Sequence, residues 1–255
     1  MDAQQRDWDR LFGLILTDSF RGSPFHVELE KDLSLKRQLL DVVVLRRDGG
    51  EFRERRPDGL ENLARHNLIT FKSHQEALDD WALKELTGHY VNYRKQVSPS
   101  LQQLLPEADI RLLAVCARYP HNLAGQVAWA VVQPGVYDCR RGTDVIRVVV
   151  LGQLPRSEHN AMLHLFSASQ EQVRYGAEHY RQRSAETSTL LHRLFDQYRK
   201  EGLAMPYTMA DFIKDFTKEH LKELTPEERL AGLSAEEKAA LLRRLQADDV
   251  SPKPG

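Results

Sequence analysis

Leu39-Leu40-Asp41-Val42-Val43-Val44-Leu45 is a near-continuous aliphatic run broken by one acid, the pattern of a central β-strand with a charge in it. In an extended chain Asp41 shares a face with Leu39, Val43 and Leu45, so a carboxylate is fixed on a rigid element among apolar neighbours. Burying it alone is costly, and it calls for a cation, a metal or several hydrogen bonds. The next apolar segment, Asn67-Leu68-Ile69-Thr70-Phe71-Lys72, puts Thr70 and Lys72 on one face and Ile69 and Phe71 on the other. The pattern therefore predicts an Asp41–Lys72 pair across two neighbouring strands.

Upstream, Trp8, Leu11, Phe12, Ile15, Leu16 and Phe20 recur at steps of three and four, an amphipathic helix closed by Gly22 and Pro24. Phe25, Val27 and Leu29 then alternate with His26, Glu28 and Glu30, as a strand with one buried face does. Arg46 to Gly59 is polar, with turns at Asp48-Gly49-Gly50 and Pro57-Asp58-Gly59. Ser73, three residues before Glu76, reads as the N-cap of a helix carrying Leu78, Trp81, Ala82, Leu86, His89 and Tyr93. A strand over Ile110 to Ala117 follows, and two more within Gly135 to Leu154 are separated by Arg140-Arg141-Gly142.

The first 154 residues are thus α/β in character, and strand signals stop from Glu158 onward. Ala161 to Lys200 favours helix, and Thr208 with Asp211 starts another helix with the stripe Met209, Phe212, Ile213, Phe216 and His220. Leu224-Thr225-Pro226-Glu227-Glu228-Arg229 is echoed by Leu233-Ser234-Ala235-Glu236-Glu237-Lys238, each copy with a hydroxyl three residues before a Glu. The expected organisation is an α/β domain over 1–154, a helical region over 155–247 that packs on it or mediates homo-oligomerisation, and a frayed tail over 248–255.

Composition narrows the function classes. With 255 residues, 41% hydrophobic and 29% charged, the composition argues against a membrane protein and against an extensively disordered one. Lys and Arg total 36 against 37 Asp and Glu, so no global field recruits nucleic acid and any such partner rests on a local site. Cys116 and Cys139 are too few for a disulfide scaffold or a four-cysteine zinc site, and are expected reduced in the core. Asp2, Arg6, Asp7, Asp9, Arg10 and Asp18 interrupt the first twenty residues, unlike a signal peptide, and no apolar run approaches the roughly 20 residues that span a bilayer. The expectation is a cytoplasmic protein with no membrane partner. There is no Gly-x-Ser-x-Gly elbow, no phosphate-binding glycine motif and no zinc-protease histidine pair.

The order helix, strand, Asp-bearing strand, strand ending in Lys, then a long helix resembles the PD-(D/E)XK nuclease superfamily, in particular the bacterial branch near the recombination-promoting nucleases and transposase-like proteins. The resemblance runs from Trp8 to about Ala117 and is carried by Gln38-Leu39-Leu40-Asp41, by His66-Asn67-Leu68-Ile69-Thr70-Phe71-Lys72-Ser73, and by the helix end His89-Tyr90-Val91-Asn92-Tyr93-Arg94-Lys95. It implies a restriction-endonuclease-like mixed sheet flanked by helices, DNA as substrate and Mg²⁺ as cofactor. In active members an Asp and an acid two residues before the Lys hold the ion, while the Lys assists the attacking water. Asp41 and Lys72 fill two of these roles, and Thr70 occupies the acid's position with a neutral hydroxyl. A replacement acid is sought first in Glu76, whose alternative is capping with Ser73, and then in Asp79, Asp80 or Glu30.

The same residues carry a plainer reading. Asp41 can be a structural acid paired with Lys72 or Arg37, in a non-catalytic binding or scaffold protein that retains the nuclease-like fold. Arg46, Arg47, Arg53, Arg55, Arg56 and Arg65 flank the polar loop, where guanidinium groups suit phosphates, yet Asp48, Glu51, Glu54, Asp58 and Glu61 interleave with them.

Overall fold

The aliphatic run is a strand, and three more elements follow from it directly. The computed structural model describes residues 3–32, 39–47, 55–181 and 186–200, together with positions 225, 234, 236, 238 and 239. An opening helix, α1 (Ala3–Ser19), leads into β1 (Phe25–Asp32), β2 (Leu39–Arg46) and β3 (His66–Lys72). These three strands pair antiparallel in sequence order, with Val42 opposite Ile69 and Val43 opposite Leu68. The long helix α2 (Asp80–Val97) then crosses over, so that β4 (Ile110–Cys116) lies parallel to β3 with Lys72 opposite Cys116. A short α3 (His121–Ala124), then β5 (Ala128–Gln133), β6 (Val136–Arg141) and β7 (Asp144–Val150) complete a seven-stranded mixed sheet of order β1-β2-β3-β4-β7-β6-β5.

Each face of the sheet is covered by helix, as buried parallel strands require. On one side Leu83, Leu86, Tyr90 and Tyr93 of α2 pack with Val43, Leu68, Ala114, Cys116, Cys139 and Val148. Tyr93 also bonds His66 of β3, Oη to Nδ1, at 2.7 Å, which fixes the helix over the strand. On the other side Phe12 of α1 stacks on Phe71 of β3 at 4.3 Å, and Phe166 meets both rings edge-on. Three helices, α4 (Ala161–His164), α5 (Gln170–His179) and α6 (Glu186–Lys200), follow the sheet within the same compact unit, 1–206. Tyr198 of α6 packs on Trp8 of α1 at 4.9 Å.

The turn at Pro57-Asp58-Gly59 forms as the sequence indicates. The Leu60 N–H donates to the Pro57 carbonyl at 3.0 Å, and Gly59 has φ of 87°, a left-handed conformation that suits glycine. The start of α2 differs from expectation. Ser73 does not open the helix: Asp79 caps it by accepting the Ala82 N–H at 2.8 Å, and residues 73 to 76 make only a turn. Ser73 Oγ instead accepts the Gln75 N–H at 3.3 Å.

The second unit spans 207–255. Its described positions include helical Glu236, Lys238 and Ala239, where the Lys238 N–H donates to the Ser234 carbonyl at 3.0 Å. The helix expected from Thr208, most of the first of the two echoed segments, the frayed tail and the turn at Asp48-Gly49-Gly50 lie outside the described residues. Among the described residues no helix is long and apolar enough to cross a membrane.

Candidate functional site

Asp41, Thr70 and Lys72 come together on the α2 face of the sheet. The β2–β3 register continues from Val42–Ile69 to set Asp41 across from Thr70, and the two-residue alternation of β3 brings Lys72 to the same face. Thr70 Oγ1 donates to Asp41 Oδ2 at 2.9 Å, and the Phe71 N–H donates to the same oxygen at 2.8 Å. Among the described residues Oδ1 takes no hydrogen bond.

The carboxyl group of Asp41 is enclosed by protein although the residue keeps some exposed surface. Burial is the largest influence and pushes its pKa above the ordinary 3.8. The Phe71 N–H, the Lys72 charge and the Thr70 hydroxyl pull it back, while Glu85 on α2 pushes it up again. Lys72 thus acts on Asp41 through space, and its ion pair is with Glu76, Nζ to Oε2, at 3.6 Å.

Of the other acids, Asp79 and Asp80 have identifiable roles. Asp79 is the N-cap of α2. Asp80 pairs with Lys84 at 2.7 Å and with Arg141 of β6, which hold its carboxyl at about 2. Glu30 occupies the register position across from Asp41 on β1, between Leu29–Val42 and Lys31–Leu40.

Glu85 was not among the residues the sequence singled out, yet it is the carboxylate that α2 brings to bear on Asp41. It also faces His89 one turn on, opposing the burial that lowers the imidazole pKa. The signal was present in the spacing: Glu85 stands three residues after Ala82 and four before His89, on the flank of the buried stripe.

No family model matches the chain, no curated protein matches it, and no solved structure matches its fold. The chemistry must be read from the residues. Magnesium ordinarily takes oxygen ligands that include one or two carboxylates. Here Thr70 spends its hydroxyl proton on Asp41, Glu76 is turned to Lys72, and among the described residues no three His, Cys, Asp or Glu side chains converge on one point. What the arrangement does well is hold a carboxylate of raised pKa beside an ammonium group.

Proposed function

We propose that the chain is a degenerate PD-(D/E)XK-type nuclease, in which the nuclease-like fold and the Asp41–Lys72 face persist while Mg²⁺-dependent cleavage of DNA has been lost. The reading is supported by the three-strand meander, the crossover helix and the parallel fourth strand, with Asp on the second strand and Lys at the end of the third. One observation carries the degenerate part. At the position where the superfamily has an acid, Thr70 donates a hydrogen bond into Asp41, so a second anionic ligand is replaced by a donor.

The test is plasmid nicking with Mg²⁺ or Mn²⁺ by the full chain and by Thr70→Glu, each with and without Asp41→Ala. The expected result is no cleavage by the natural chain, and cleavage by Thr70→Glu that disappears with Asp41→Ala. A second reading is favoured by the charge of Glu85 felt at Asp41: an active endonuclease that draws its second carboxylate from α2. Cleavage by the natural chain, abolished by both Asp41→Ala and Glu85→Gln, would establish that reading instead. Cleavage that survives Asp41→Ala would reject both.

A further inference from the structure

The end of α1, the Pro57-Asp58-Gly59 turn, the start of α4 and the end of α5 meet around a cavity of about 340 Å³. That is near the lower end of the range of about 300–1,000 Å³ in which small-molecule sites fall. None of the described lining residues lies on β2, β3 or α2, so the cavity is separate from the Asp41–Lys72 face. His159 lines it, and the chain sets the orientation of that ring. Behind His159 the Asp58 carboxylate, 3% exposed, takes three donors: His159 Nε2–H at 3.0 Å and Arg55 Nη2–H at 3.2 Å on Oδ1, and Asn160 Nδ2–H at 2.8 Å on Oδ2. Asn160 is fully buried and is locked in turn, its Oδ1 accepting the Asp58 N–H at 2.9 Å and its Nδ2 donating also to the Pro155 carbonyl at 3.1 Å.

A carboxylate only accepts, so Nε2 carries the hydrogen, and in the neutral ring Nδ1 is left as an acceptor. Among the described residues nothing bonds Nδ1. Ser157 Oγ approaches at 3.3 Å, but it approaches Nε2, the nitrogen that Asp58 already holds. A nucleophilic relay needs serine and acid on opposite nitrogens, so this trio is not one. The other walls supply an apolar surface, from the buried Phe20, Pro57 and Met162, and a cation, Arg181, which is exposed and has no ion pair among the described residues. Tyr180 gives its hydroxyl proton to the buried Asp18 at 2.6 Å, and His179 gives Nδ1–H to the Tyr175 carbonyl at 2.9 Å. Glu158 sets one negative charge on the wall, which counts against a doubly charged ligand.

We propose that this cavity binds a small monocarboxylic acid that also carries a hydroxyl group, with the carboxylate on Arg181, the hydroxyl donating to His159 Nδ1, and the hydrocarbon body against Phe20, Pro57 and Met162. A guanidinium meets both oxygens of a carboxylate at once. The hydroxyl finds an acceptor whose ring Asp58 already holds, so binding has little left to order there. A phosphate monoester, at about −1.5 to −2 charges, is repelled by Glu158 more strongly than a carboxylate is and fits less well. The site needs no metal and does not rest on the nuclease reading.

The test is calorimetric titration of the full chain with meta-hydroxybenzoate and with the flexible omega-hydroxyhexanoate, which spans a range of separations between its two groups. At least one is expected to bind with a Kd of about 1 mM or tighter. Taking away the hydroxyl, as in benzoate and hexanoate, or turning the carboxylate into its amide should weaken binding at least about fivefold. His159→Gln keeps a donor for Asp58 and removes Nδ1, so it should bring the hydroxy acid down to the affinity of its deoxy form. Arg181→Gln changes an exposed side chain and leaves the core alone, so it decides the matter even if the His159 variant fails to fold; it should weaken the acid at least about fivefold and leave the amide unchanged. No binding of either hydroxy acid up to about 10 mM would overturn the proposal. So would a deoxy acid that binds as tightly as its hydroxy form, a folded variant that binds as the natural chain does, or meta-hydroxyphenyl phosphate binding more tightly than the carboxylate.

Discussion

Thr70 and Asp41 are joined across the β2–β3 pair by a hydroxyl-to-carboxylate hydrogen bond of 2.9 Å, and Thr70 is itself buried. Replacing it by valine keeps the shape and removes the donor. Thr70→Val is therefore expected to cost about 1.5–3 kcal/mol at neutral pH, as loss of a bond to a charged acceptor does. Urea unfolding at pH 7 measures it, and a variant as stable as the natural chain would mean that the bond contributes nothing net.

The raised pKa of Asp41 sets a direction for stability against pH. Its folded-state value lies above the ordinary 3.8, so between the two the folded protein binds the extra proton. The stability this group contributes is present below 3.8 and is lost as pH rises through the folded-state value. Asp41→Asn still offers a carbonyl to Thr70 and Phe71 and never ionises. It should be at least as stable as the natural chain at pH 7, and the difference should vanish below about pH 4. Unfolding of both proteins across that range gives the sign. A variant markedly less stable at pH 7 would show that Lys72 and the two hydrogen bonds outweigh burial.

Much of this arrangement was legible in the sequence, for a physical reason. The β2 run is apolar at six of its eight positions because both faces are covered, and Asp41 stands out against it. The strand β5 went unread because it forms an edge: Ala128, Ala130, Val131 and Val132 are all exposed, so no alternation marks a buried face. The start of α2 was misplaced because Leu78, 2% exposed, extends the apolar pattern upstream of the helix, and both Ser73 and Asp79 are good cap residues. Glu85 lies 13 residues after Lys72, and only the path of α2 back over the strand makes its charge felt at Asp41.

The two possible helix starts make opposite forecasts. With Asp79 as the cap, Asp79→Ala should cost about 1 kcal/mol by leaving the Ala82 N–H unpaired. The Glu76–Lys72 pair lies near the surface at 3.6 Å, so its loss in Glu76→Gln should change stability by less than about 0.5 kcal/mol. Chemical unfolding of both variants decides it, and a larger loss from Glu76→Gln would restore Ser73 and Glu76 as the working cap.

Cys116 offers a reporter on the face that carries Asp41 and Lys72. It lies opposite Lys72 in the β3–β4 register, in the core beneath α2, and burial pushes its thiol up to about 12. Cys139 is buried in the same cluster and its pKa is also raised by burial. Disulfide exchange proceeds through the thiolate, which at pH 8 is almost absent at Cys116, and reagent access is blocked as well. Both thiols should therefore stay unmodified by an aromatic disulfide reagent in the folded protein and react together once urea unfolds it. Since α2 must leave the sheet to expose Cys116, labelling in native buffer at a rate faster than global unfolding would show that the helix opens by itself. The influence of Glu85 on Asp41 would then belong to one state of a mobile face rather than to a fixed site.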